Sequence, residues 1–175
     1  MTVPAHNPYP PDSADNYPDW PADDNGTMPD SVNNLAAAVI GRRIVSVEPH
    51  VSFNSNDFEA AGDSEWWHDS VAALMLTLDD GRRVAMVEQG DCCAFTDIKK
   101  FLLHPDKVNH AITGVATENG YTKWHILADL GDVLELDVDW SCGNPFYYSY
   151  GFTIGISNTI DGRVITNELP AGGDT

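Results

Sequence analysis

The chain has 175 residues, 42% of them apolar, which sets one domain as the expectation and leaves enough burial for a core without disulfides or metal. Its 27 acidic residues against 9 basic ones give a formal charge of −18 and argue against direct nucleic-acid binding, because phosphate contacts need Lys and Arg. No apolar run approaches the ~20 residues of a membrane span, and the N-terminus shows neither the basic nor the apolar region of a secretory signal, so a cytosolic setting is expected.

Residues 1–31 differ from the rest. They hold Pro4, Pro8, Pro10, Pro11, Pro18, Pro21 and Pro29, together with Asp12, Asp15, Asp19, Asp23, Asp24 and Asp30, and no Lys or Arg. A segment of this kind buries too little apolar surface to offset its ordering entropy, so it is predicted to be a disordered acidic tail. A globular domain is predicted over 32–168, followed by a flexible C-terminus at 169–175.

A helix capped by Asp30 or Ser31 is expected to run through Val32–Ile40 and end at Gly41. A short strand, Arg43–Glu48, is expected to stop at Pro49. Residues 50–70 read as a long loop. Val71–Leu78 alternates, with Ala72, Leu74, Leu76 and Leu78 on one face, and Asp79-Asp80-Gly81 turns it into a return strand over Arg82–Glu88. Thr96 is predicted to cap a short helix through Leu103, with Ile98, Phe101 and Leu102 as its apolar stripe. A strand over Asn109–Thr117, a turn at Glu118-Asn119-Gly120 and a partner over Tyr121–Ala128 follow. Asp132–Trp140 then places Leu134, Leu136, Val138 and Trp140 on one face and Glu135, Asp137 and Asp139 on the other. A strand over Phe146–Ile156 and an edge strand at Arg163–Asn167 are expected to complete the chain. The fold class is α+β, mostly β: a curled antiparallel sheet of six or seven strands, or a partly open barrel, with one or two short helices.

The order hairpin, Asp91-Cys92-Cys93, short helix, β-meander resembles a family of small domains found in phages and bacteria and catalogued only as a domain of unknown function. The resemblance covers roughly residues 41–156, and its specific feature is the Cys92-Cys93 step. Ala94 departs from it, since members usually carry an acidic residue there; so do the insertion at 50–70 and the acidic tail. It implies phage origin and no particular activity.

Cys92, Cys93 and Cys142 are an odd number and two are adjacent, so all three are read as reduced thiols. With His104, His110 and His125 they could be imagined around zinc, but adjacent cysteines lack the usual spacing of a structural site. A thiol nucleophile at Cys92 or Cys93 with a base such as His125 is a further alternative. Asp63, Glu65, His68 and Asp69 lack the regular oxygen spacing of a calcium loop. No phosphate loop, dinucleotide fingerprint, Gly-x-Ser-x-Gly elbow or His-Glu-x-x-His pattern occurs. The expectation is therefore no catalytic residue, no cofactor and no metal.

Two features point to a partner. Trp66 and Trp67 have the chemistry of interface anchors. Glu135, Asp137 and Asp139 form a carboxylate row with a spacing of ~6.8 Å, about four times sparser than the charge of duplex DNA. The expected function is a non-enzymatic phage accessory protein that binds a host protein with a basic surface in the host cytoplasm. The alternatives are a minor virion component whose tail lies on a neighbouring subunit, and a thiol- or metal-dependent enzyme centred on Asp91-Cys92-Cys93. Neither membrane nor direct nucleic-acid contact is expected, and the oligomeric state is left open.

Overall fold

The structure is a computed structural model that describes residues 27–62, 70–90, 94–141, 151–157, 159–160 and 163–164. Helix α1 (Met28–Val39) opens it, and strands β1 (Ile44–Asn54) and β2 (Phe58–Ala60) follow, joined by a 3-10 turn at Ser55–Asp57. Then come β3 (Ser70–Leu78), β4 (Arg83–Val87), β5 (Phe95–Leu103), β6 (Ile112–Glu118), β7 (Lys123–Ala128), β8 (Gly131–Ser141) and β9 (Thr153–Ser157). Two short strands, β10 (Thr159–Ile160) and β11 (Arg163–Val164), pair with each other. The mostly β, α+β class holds. The main strands divide between a five-stranded sheet, β1-β3-β4-β9-β2, and a four-stranded sheet, β5-β8-β7-β6, both antiparallel and neither a closed barrel among the described residues.

The inward faces of the two sheets and one face of α1 share a core. It holds Leu35 and Val39 from the helix, Leu74, Leu76, Val84, Met86 and Ile154 from the first sheet, and Trp124, Ile126, Leu134, Leu136 and Trp140 from the second. A smaller cluster, Phe53, Phe58, Ala73, Met75, Ala85 and Val87, covers the opposite face of the five-stranded sheet. That sheet is buried on both sides, which is why Val84 to Val87 is continuously apolar. The four-stranded sheet has one core face and one polar face, so β8 alternates as its sequence predicts.

The predicted helix over Thr96–Leu103 is strand β5. The apolar spacing of Ile98, Phe101 and Leu102 imitates a helical stripe because a β-bulge interrupts the strand: Ile98 pairs with Val138, whereas Lys100 pairs with Asp137, so Lys99 is the extra residue. Beyond the bulge the alternation restarts, and Ile98, Phe101 and Leu103 face the core while Leu102 is exposed. The first strand also runs on through Pro49 instead of stopping there. β1 stands at the margin of its sheet, where a missing N–H is tolerated, and its register shifts between Glu48 and Val51, with His50 at φ +53°. Much of the expected 50–70 loop is therefore the end of β1, the 3-10 turn and β2; residues 63–69 lie outside the described residues.

The helix ends as expected, with Gly41 at φ +81° just beyond its C-cap. Its start lies earlier than expected, and Met28 and Ser31, which composition groups with the tail, are buried. The Ser31 hydroxyl accepts from the Phe152 N–H (2.9 Å) and donates to the Phe152 carbonyl (3.0 Å), like one residue of a strand ladder. Gly151 makes this approach possible. A Cβ there would lie 2.5 Å from Ser31 Oγ, 2.6 Å from Thr27 Oγ1 and 3.0 Å from the Thr27 carbonyl carbon. Gly151→Ala is expected to lower stability by about 1–3 kcal/mol through overpacking, read as a shift of the urea midpoint. An unchanged midpoint would mean that α1 does not seat against residues 151–152.

Candidate functional site

The polar face of the four-stranded sheet carries the densest set of ionisable side chains that the described residues bring together. β8 lies between β5 and β7, so its outward residues meet partners from both sides. Lys123 on β7 stands opposite Asp137, and His125 stands opposite Glu135. Lys123 donates to Asp137 Oδ1 at 2.8 Å and to Glu135 Oε2 at 3.0 Å. The imidazole of His104, just after β5, bonds Glu135 Oε1 at 2.8 Å. His125 places Nδ1 3.1 Å from Asp132 and Nε2 3.4 Å from Glu118. Lys99, the bulge residue, bonds Asp97 and reaches Asp139 at 3.9 Å.

These contacts set the electrostatics. The hydrogen bond from His104, then that from Lys123, holds the Glu135 carboxyl below its usual range. Lys123 does the same for Asp137. Asp137 and then Glu135 in turn raise Lys123, and Asp97 raises Lys99. The face is thus a lattice of paired charges, most of them screened by water. Such pairs are individually worth roughly 0–1 kcal/mol, so their main effect is to fix side-chain positions.

Of the residues singled out from sequence, Glu135, Asp137 and Asp139 do share this face, and their side chains become more open along the strand, from 20% exposed at Glu135 through 42% to 49% at Asp139. They are not a bare anionic stripe, because Lys123 and Lys99 sit among them. Trp66 and Trp67 lie outside the described residues, as do Asp91, Cys92, Cys93 and Cys142. The flanks of 91–93 are described: Gly90 and Phe95 form an antiparallel bridge and the Thr96 N–H donates to the Gln89 carbonyl at 2.8 Å. His104 and His125 entered the sequence reading as zinc donors for the cysteines, and His125 also as a base for a thiol nucleophile. Their carboxylate neighbours Asp132 and Glu118 carried no signal, because the cross-strand register that joins them is not local.

A concavity of about 460 Å³ opens where the bulges of β1 and β5 face each other, lined by His50, Leu74, Glu88, Ile98 and Phe101 among others. Glu88 there accepts from the Ile98 N–H at 2.7 Å, a bond that supports the bulge itself. No helix among the described residues is long and apolar enough to cross a membrane.

A family model described as a domain of unknown function, DUF7448, matches residues 37–154. The chain belongs to the DUF7448 family. The matched span takes in both main sheets, from the end of α1 into β9, and so includes every residue of the paired lattice. No curated protein and no solved structure matches this DUF7448 chain.

Proposed function

We propose that this DUF7448 chain is a phage accessory protein without enzymatic activity that acts in the host cytoplasm by binding a protein with a basic surface. The observation that carries the reading is the row Glu135, Asp137 and Asp139 on the polar face of the four-stranded sheet, already held in position by Lys123 and Lys99. Pre-positioned carboxylates lose little side-chain freedom on meeting a partner, and each has about four acceptor sites, so an incoming Arg can join the lysines without displacing them. The chain's excess charge of −18 adds long-range attraction, which acts mainly on the association rate. Trp66 and Trp67 supply the apolar anchor in this reading. Phage origin is supported by the resemblance carried by Asp91-Cys92-Cys93.

The test is capture of the partner on immobilised full chain, followed by binding kinetics at several salt concentrations. The triple variant Glu135→Gln, Asp137→Asn, Asp139→Asn is expected to lower the on-rate about 10-fold at low salt and to flatten its salt dependence. Replacing Trp66 or Trp67 with Ala is expected chiefly to raise the off-rate. An affinity indifferent to salt and to both sets of substitutions would overturn the reading and leave the acidity a matter of solubility.

A further inference from the structure

We propose that His125, Asp132 and Glu135 form a binding site for a divalent transition-metal ion of the zinc class on the polar face of the four-stranded sheet. Their donor atoms, one imidazole nitrogen and one oxygen from each carboxylate, all lie within 4.8 Å of one another. Two local features bring this about. His125 and Glu135 are directly opposed on β7 and β8, and the register shift between Ile126 and Leu127 draws Asp132, near the start of β8, alongside them. A tetrahedral ion with bonds of about 2.0–2.1 Å holds its ligand atoms about 3.3 Å apart. His125 Nδ1 and Asp132 Oδ1 stand at 3.1 Å, near that spacing already. An oxygen of Glu135 lies within 4.8 Å of both and is the third donor.

The donor chemistry selects the ion. One nitrogen and two carboxylate oxygens suit zinc, cobalt or nickel, whereas calcium and magnesium favour oxygen throughout. Three protein donors leave a fourth position for water or for a donor from another molecule.

The surroundings orient the donors as metal sites require. In the metal-free chain the Asp132 carboxylate can only accept, so Nδ1–H of His125 donates to it at 3.1 Å; a metal ion takes the place of that proton, and Glu118, 3.4 Å from Nε2, is then placed to accept from Nε2–H, the carboxylate–histidine–metal arrangement. Lys123 and His104 each engage one oxygen of Glu135 and fix its plane, leaving other lone pairs available. His110 makes the contrast. Its Nδ1 meets Asp129 at 2.7 Å, but it belongs to no such three-donor group among the described residues. The proposed ligands lie on the solvent side of the sheet, outside the apolar core, so the ion adds to a folded domain. The proposal uses none of the cysteines and does not rest on the partner-binding reading, since the chain alone would bind the ion.

The experiment is calorimetric titration of the metal-free full chain with zinc chloride in a non-coordinating buffer. Saturation near one equivalent is expected. His125→Ala should weaken binding by more than about 100-fold and Glu118→Gln by about 10-fold, while His110→Ala and a variant with all three cysteines changed to Ser should bind as the parent does. Circular dichroism checks that each variant is folded; should His125→Ala not fold, Asp132→Asn and Glu118→Gln decide. No saturable binding, binding unchanged in His125→Ala and Asp132→Asn, or binding lost in the cysteine variant would each overturn the proposal.

Discussion

Trp124→Ala is expected to lower the stability of the domain by about 3–5 kcal/mol, the range for removing a buried Trp or Phe from a core. Trp124 is fully buried on β7 and its ring meets Phe152 edge to face, with centroids 5.4 Å apart at 87°. Phe152 leads into β9 of the other sheet, so this contact joins the two sheets at the centre of the core. The indole N–H donates to the Tyr121 carbonyl at 2.8 Å, and truncation would leave that carbonyl with a lost partner as well as a cavity. Domains of this kind have roughly 5–15 kcal/mol in total, so a loss of this size is a large fraction of the whole. Leu130→Ala, at a side chain 61% exposed, should change stability by no more than about 0.5 kcal/mol. Urea melts of both variants make the measurement. A loss below about 1 kcal/mol at Trp124 would mean that the two sheets do not pack through this residue.

The second large effect is expected from where the N-terminus is cut. Deleting residues 2–26, which are rich in Pro and Asp, should move the melting temperature by no more than a few degrees, because such a segment has little apolar surface to give. Deleting residues 2–31 also removes Met28, fully buried in the shared core, and Ser31, which bonds both backbone groups of Phe152. Loss of a buried Met side chain alone costs about 2–5 kcal/mol, and the Phe152 N–H and carbonyl are left without their partner. Thermal melts of the two truncations separate the cases. Equal melting temperatures would show that the first turn of α1 contributes nothing to the core.

Much of this fold is written locally. The alternation of Leu134, Leu136, Val138 and Trp140 against Glu135, Asp137 and Asp139 needs no more than the period of two, and β8 bears it out. Asp79-Asp80-Gly81 and Glu118-Asn119-Gly120 turn where their residues require, with Gly81, Asn119 and Gly120 at positive φ. What escaped was set by pairing. Lys99 is an ordinary residue in a helix and an extra one in a strand, and only the register against Val138 and Asp137 distinguishes them. Pro49 ends a strand unless that strand lies at a margin, which is a property of the sheet. For the site, the carboxylate row was legible, while the lysine and histidines that meet it were not. Lys123 and His125 come to Asp137 and Glu135 through a hairpin whose register has a shift in it, and His104 comes from the far side of β8.

The place of β9 bears on how the chain is made. This strand, Thr153–Ser157, joins β4 to β2 in its sheet, and the residue before it is secured by Ser31, 121 positions earlier. During synthesis β2 and β4 leave the ribosome long before the strand that joins them. The four-stranded sheet draws on one stretch, 95–141, and can form while β9 is still inside the exit tunnel. The sheet that begins first in the chain therefore closes last. Until it does, β2 and β4 present open edges, the kind of surface that chaperones hold and that aggregation exploits. A nascent chain held with β9 still inside the tunnel should accordingly carry a finished half and an adhesive one.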